Sequence, residues 1–161
     1  MGNLVERLTA MLSTAERPLI GLDTSVFIYQ FEDHPIYRPP AHEILEGVEE
    51  GRWEAITSVL TLMEINVRPI KLGRWDIARR YEALLVNFPN LRVVELSRDI
   101  ARRASFLRAE YGLRPADALQ VAACLQHGCR VFVTNDRRLK RLQPVMSIIL
   151  LEDQDGEYHD H

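Results

Sequence analysis

Four carboxylates stand within or at the ends of apolar runs. Asp23 closes the apolar run "PLIGLD", Glu64 sits inside "LTLMEINV", Asp117 inside "PADALQVAA", and Asp136 follows "VFVTN". Glu64 is flanked by Leu62, Met63, Ile65 and Val67, and Asp117 by Ala116, Ala118, Leu119 and Val121. A carboxylate among apolar neighbours is costly to bury unless it is paired, hydrogen-bonded or bound to metal. Four such groups brought together would repel strongly, and one or two divalent cations would relieve that repulsion. A set of hard oxygen donors suits Mg²⁺ or Mn²⁺ rather than Zn²⁺. A cation so held can polarise a phosphoryl oxygen and acidify a water, which is the chemistry of phosphodiester hydrolysis. Each acid also has a plain structural use. Asp23 can cap a helix starting near Thr24, and Asp117 in a first helical turn is favoured by the macrodipole. Asp136 or Asn135 can cap a short helix, and Glu64 can lie on a solvated face.

The elements around these residues decide whether they can meet. "PLIGLD", "WEAITS", "LRVVEL", "CRVFVT" and "MSIILL" are short apolar runs that predict five strands. Between them the pattern predicts helices over 3–15, from "TSVFIYQF", over 41–50, 59–67 and 74–87, from "SRDIARRASFLRAEYG" and from "PADALQVAACLQHG", with a short one over 136–142. Ser97 reads as an N-cap, Gly112 and Gly128 as helix stops, and Pro115 as a first-turn proline. "EDHPIYRPP" reads as a Pro-rich loop, and Pro69 as the interruption of the helix that carries Glu64. Strands alternating with helices predict a mostly parallel sheet covered on both faces. Ligands of such sheets bind outside the carboxyl ends of the strands. Asp23 and Asp136 follow the first and fourth strands, so this placement lets all four acids gather at one edge.

At 161 residues the chain suits one domain with a real core, and apolar residues make up 47% of it. Its apolar stretches are far shorter than the roughly 18–20 residues of a membrane span. The N-terminus lacks a basic start followed by an apolar block, so no signal peptide is expected. Cys124 and Cys129 are the only cysteines, which excludes a disulfide framework and fits a reducing cytoplasm. With His127 they could suggest zinc, but no second ligand pair exists and Cys124 fits a core position on its helix. No Gly-rich phosphate loop appears, and the acidic pair of a phosphatase or of a receiver domain is missing. The net charge of −3 conceals an asymmetry: −7 over residues 1–64, +9 over 65–150 and −5 over 151–161. A basic middle can face a polyanion or simply form solvated Arg-rich helices. Arg137 and Arg138, with Arg114 further out, are the candidates to touch phosphate. Lys140 and Arg141 read equally well as the solvated face of the last helix.

In order along the chain, "GLDTSVFIY", "LTLMEI", "RPADALQVAA" and "VFVTNDRRL" resemble the four motifs of PIN-domain ribonucleases, most closely the VapC-like toxins of toxin–antitoxin pairs. The resemblance covers about residues 18–150, with intervals of 41, 53 and 19 residues between the acids. It implies a three-layer α/β/α sandwich around a mostly parallel five-stranded sheet, and metal-dependent cleavage of RNA. It implies an acidic set of Asp23, Glu64, Asp117 and Asp136, supported by Thr134 and Asn135. Asp23, Asp117 and Asp136 would hold a cation directly or through water, while Glu64 would hold a second one or orient the attacking water. It implies an RNA substrate, an antitoxin partner whose tail covers the acidic pocket, and a homodimer. The aromatic-rich stretch 25–70, with Phe27, Tyr29, Phe31, Ile36, Tyr37 and Trp53, is where an antitoxin groove is sought; the same aromatics also suit a core. The chain departs from the family pattern in its N-terminal helical extension, 1–17, and in its acidic tail, 152–161, on either side of a nuclease domain over 18–151. Two alternatives share these residues: a PIN-like module that binds RNA or protein without cutting, and a PIN-like nuclease, including one that acts on DNA, outside a toxin–antitoxin system.

Overall fold

Strand residues that alternate between two apolar faces set the architecture. In the computed structural model, which describes residues 4–12 and 18–152, five strands form one all-parallel sheet. They are β1 (Leu19–Leu22), β2 (Glu54–Ser58), β3 (Leu91–Val94), β4 (Val131–Thr134) and β5 (Ser147–Leu150), in the order β3-β2-β1-β4-β5. Ile20 and Leu22 of β1, with Val131 and Val133 of β4, feed one core. Phe132 of β4, with Ile148 and Leu150 of β5, feeds the other. Such two-sided burial is what parallel sheets require.

The first core is covered by α1 (Leu4–Leu12), α2 (Thr24–Phe31), α3 (Arg38–Glu49), α4 (Val59–Lys71) and α5 (Trp75–Val86). The second is covered by α6 (Arg98–Tyr111), α7 (Pro115–Gln126) and a 3-10 helix, Arg137–Leu142. This is the expected three-layer α/β/α sandwich. The Leu4, Leu8 and Leu12 stripe of α1 is buried in the first core, where α1 packs on α3. Among the described residues no helix is long and apolar enough to cross a membrane. The acidic tail predicted from residue 152 lies, from 153 onward, outside the described residues, as do His159 and His161.

Two close approaches fix the layers. A Cβ at Gly21 would lie 2.6 Å from Cys124 Sγ and 2.9 Å from the Phe132 ring, so α7 rides directly on β1. A Cβ at Gly47 would lie 2.0 Å from the Trp53 ring, so the indole fills the space beside α3.

Two expectations about proline need correction. The segment read as a Pro-rich loop over 32–40 is helical from Arg38, because Pro39 and Pro40 occupy a first turn whose N–H groups lack helical partners anyway. Pro69 does not interrupt α4, which runs on to Lys71. It sits in the last turn, where the missing N–H costs one bond, and its side chain is buried. Elsewhere the predicted caps stand: Ser97 Oγ accepts from Ile100 N, and Gly112 ends α6 at φ +65°.

Candidate active site

Along the sheet the chain steps outward from β1 to β2 to β3, then returns to the other side of β1 for β4. The carboxyl ends of β1 and β4 therefore form the switch point where open α/β sheets bind ligands. Asp23 leaves β1 there, and Thr134, Asn135 and Asp136 leave β4 there. A backbone bond from Asp23 N to Val133 O, 2.9 Å, ties the two ends together.

Asp23 is the N-cap of α2, as its position after the strand suggests, and Oδ1 accepts from Thr24 N at 2.9 Å. Its other oxygen accepts from Thr134 Oγ1 at 2.6 Å. Thr134 Oγ1 also accepts from Asp136 N at 3.1 Å, so one buried hydroxyl joins the Asp23 carboxylate to the backbone N–H of Asp136. Burial pushes the Asp23 carboxyl up to about 6, against the bonds from Thr134 and Thr24, and the charges of Asp117 and Glu64 push the same way.

Glu64 comes from α4 and accepts from Thr24 Oγ1 at 3.1 Å. Burial raises its pKa, opposed by that hydrogen bond and reinforced by the charge of Asp117. Asp117, in the first turn of α7, is also raised, first by burial; Arg114 opposes this and Asp136 adds to it. Each carboxylate thus feels at least one other. Asp23 senses Asp117 and Glu64, Glu64 senses Asp117, and Asp117 senses Asp136.

Cations already border this acidic edge. Arg114 reaches Asp117 Oδ2 at 3.5 Å and Asp136 Oδ2 at 3.6 Å. Arg138 grips Asp136 with two parallel bonds, 2.9 and 2.7 Å, while Asp136 caps the 3-10 helix through Arg138 N. Arg137 pairs with Glu152. The three arginines singled out for phosphate contact are therefore engaged with the chain's own carboxylates. Asn135 Nδ2 donates to Tyr29 Oη at 3.1 Å, and its Oδ1 is buried with no hydrogen-bond partner.

The donor set is all oxygen, mutually repelling and partly buried, and this chemistry fits a hard divalent cation. Among the described residues no three acidic, His or Cys side chains are yet arranged to hold an ion together. Cys124 is buried in the second core as a helix residue, as its spacing suggests.

Residues of the antitoxin search region divide. Phe27 and Trp53 are core, while Ile36 is 68% exposed. Phe31 stacks on Tyr81 of α5, with ring centroids 5.1 Å apart, and together they line a groove with Pro69, Leu72 and Ile77. Tyr29, His34 and Tyr37 form an aromatic cluster beside it in sequence. Five buried polar residues were given no role from the sequence: Thr24, Thr57, Ser58, Thr61 and Gln120. Their only signal is a hydroxyl or amide on an otherwise apolar segment.

The family model described as PIN domain matches residues 20–143. The chain belongs to the PIN-domain family. Its PIN domain is 30% identical over 122 residues to Ribonuclease VapC23 of Mycobacterium tuberculosis, a match covering 75% of this chain and 95% of that protein. It superposes on a toxin–antitoxin complex from Klebsiella pneumoniae with a TM-score of 0.63 at 25% identity, covering 82% of this chain and 97% of the other. It shares its fold with VapBC2 of Rickettsia felis, solved bound to a DNA fragment from the promoter, at a TM-score of 0.66 and 18% identity over 82% and 98% of the two chains.

Proposed function

We propose that this chain is a Mg²⁺- or Mn²⁺-dependent endoribonuclease that hydrolyses RNA phosphodiester bonds, and that it is the toxin of a toxin–antitoxin pair. The observation that carries the reading is the acidic edge at the β1/β4 switch point, where Asp23 is held by Thr24 and Thr134 and is raised to about 6. The relatives are a ribonuclease by name and a toxin–antitoxin complex by structure. Asp23, Glu64, Asp117 and Asp136 would hold the cation. When bound, the cation neutralises the scissile phosphate and supplies the Lewis acidity that hydrolysis needs. Thr134 joins the Asp23 carboxylate to the backbone N–H of Asp136, and Asn135 ties the loop after β4 to Tyr29. Arg114, Arg137 and Arg138 would draw in the RNA backbone, Arg114 and Arg138 as Asp117 and Asp136 turn to the cation.

An active ribonuclease needs restraint in its own cell, and we assign that role to an antitoxin segment carrying Arg or Lys toward the acids and apolar side chains into the groove beside Phe31 and Tyr81. We also propose a homodimer, residues 18–151 as the nuclease unit, and a cytoplasmic site of action.

The test is cleavage of RNA by the purified chain with Mg²⁺ or Mn²⁺. Asp23→Asn and Asp117→Asn should each lower the rate by at least about 100-fold, no less than the upper range for residues that merely orient a metal-holding group, while the circular dichroism spectrum is kept. Cleavage by Asp23→Asn at near the parent rate would overturn the assignment. Expression of the chain alone should slow growth, and co-expression of the neighbouring gene product should restore it.

A further inference from the structure

Beneath the four carboxylates lies a polar layer that the proposed chemistry does not use. Thr24, Thr57, Ser58, Thr61 and Gln120 are all buried, and they come from α2, β2, α4 and α7. Buried hydroxyls and amides are costly unless satisfied, so the question is where their hydrogen bonds lead. Gln120 Nε2 lies 2.8 Å from Thr61 Oγ1, 3.1 Å from Thr57 Oγ1 and 3.4 Å from Leu22 O. A carbonyl oxygen only accepts, so the amide must turn its NH₂ edge to this side. Its Oε1 then accepts from the Ser58 hydroxyl, whose own oxygen accepts from Leu60 N at 3.2 Å.

Counting protons gives the layer one direction. Thr24 has a single hydroxyl proton and donates it to Glu64 Oε1 at 3.1 Å. Its contact with Thr61, 3.0 Å, must therefore be filled by the Thr61 proton. Thr61 is left with lone pairs only, which accept from Gln120 and from Thr57 at 2.7 Å. Thr57 has one proton and gives it to Thr61, so Leu22 O, 3.0 Å from the Thr57 hydroxyl, is served by the Gln120 amide at 3.4 Å. From Ser58 through Gln120, Thr61 and Thr24 each donor faces the next acceptor, and the series ends on the Glu64 carboxylate. Aligned hydrogen bonds polarise one another, so the last donor is stronger than an isolated threonine.

We infer that Gln120, Thr61 and Thr24 are a positioning chain that holds the Glu64 carboxylate in one orientation, ready to take a divalent cation. The inference rests on the reading of Glu64 as a metal-holding group. Neither Gln120 nor Thr61 touches the RNA or the reacting atoms; both act through Glu64. An apolar residue in place of Thr61 would leave the Thr24–Glu64 bond but remove the donor that fixes the Thr24 hydroxyl.

The test measures Mn²⁺ binding to the RNA-free protein by calorimetry, together with kcat and KM for RNA cleavage. Thr61→Val keeps the shape and removes the proton, while Gln120→Met keeps the volume and removes the amide. Each should weaken Mn²⁺ binding about tenfold, the lower range for residues that orient a metal-holding group. Each should lower kcat by a similar factor with KM unchanged, and Thr61→Ser should restore most of both. In a Glu64→Gln background, Thr61→Val should cost nothing further in either quantity. Parent-like Mn²⁺ binding in folded Thr61→Val and Gln120→Met would overturn the inference. So would an equal loss in Thr61→Ser, or a full additional loss in the Glu64→Gln background, because both mark a packing role. If Glu64→Gln alone binds Mn²⁺ and cuts RNA normally, the failure belongs to the assignment of Glu64 instead. If Thr61→Val does not fold, Gln120→Met and Thr61→Ser against the parent still decide.

Discussion

The Asp23 carboxyl accepts two good hydrogen bonds, yet burial and two neighbouring carboxylates hold its pKa up to about 6, against 3.8 for an ordinary aspartate. A raised carboxyl pKa means that the native protein keeps this proton more tightly than the unfolded chain does. The ionised form is the one the fold tolerates poorly. Its cost to stability is absent below the unfolded value and grows as the pH climbs through about 6, where the native group finally ionises. In the metal-free protein the Asp23 contribution should therefore lower stability between pH 4 and 7, by roughly 1–3 kcal/mol. Asp23→Asn, which keeps a capping side chain, should exceed the parent in stability at pH 7.5, and by a smaller margin at pH 4.5. Urea unfolding with EDTA present, at those two pH values, measures this; a variant less stable than the parent at pH 7.5 would show that the carboxylate stabilises the fold. At this scale the sequence was generous about the acids, because a charge on an apolar run is conspicuous. It was silent about Thr57, Thr61 and Gln120, because a single hydroxyl or amide on a helix or strand is unremarkable until its partners from other elements are known.

Helix α2 was legible to the residue, since Asp23 caps it and its apolar start continues the β1 run. Helix α6 was equally legible between Ser97 and Gly112, whose side-chain cap and positive φ are local properties. The misread elements both involve proline, and both misreadings applied a mid-helix rule at a helix end. Pro39 and Pro40 begin α3 and Pro69 lies in the last turn of α4, where the lost N–H matters little. What no local pattern could reveal is the fit between elements. Gly47 lies on α3 among good helix positions, and in isolation Ala would be the better helix former there. In the fold its Cβ would meet the Trp53 ring at 2.0 Å, and Trp53 is itself buried at the entrance to β2. Gly47→Ala is therefore expected to destabilise the protein by about 1–3 kcal/mol, the range for overpacking a filled core, despite the propensity gain. Thermal or chemical denaturation followed by Trp fluorescence checks this, and any stabilisation would mean that the indole has room to move aside.

Alternating apolar runs and amphipathic segments made the whole α/β architecture readable, but not the strand order, which depends on register between distant segments. That order matters, because placing β4 beside β1 is what brings Asp136 to Asp23. It also brings the basic middle of the chain to the acidic edge: Arg114 and Arg138 both reach Asp136, and Arg137 pairs with Glu152. The charge asymmetry in the sequence could not show that these three cations would be engaged with the chain's own acids. Such pairs on the surface contribute little to stability by themselves. Their value would lie in exchange, with each arginine passing from its carboxylate to a phosphate as RNA arrives. Each phosphate contact to single-stranded nucleic acid steepens the dependence of log affinity on log salt by about 0.7. Replacing Arg137 and Arg138 together by Ala, in an Asp23→Asn background that leaves the RNA uncut, should weaken binding and make that slope shallower by roughly 1 to 1.5. Because phosphate contacts carry no sequence information, the loss should be similar for RNAs of unrelated sequence. Fluorescence anisotropy across a salt series reads both quantities. A weaker complex with an unchanged slope would mean that the two arginines only hold Asp136 and Glu152 in place, and that the phosphates are met elsewhere on the molecule.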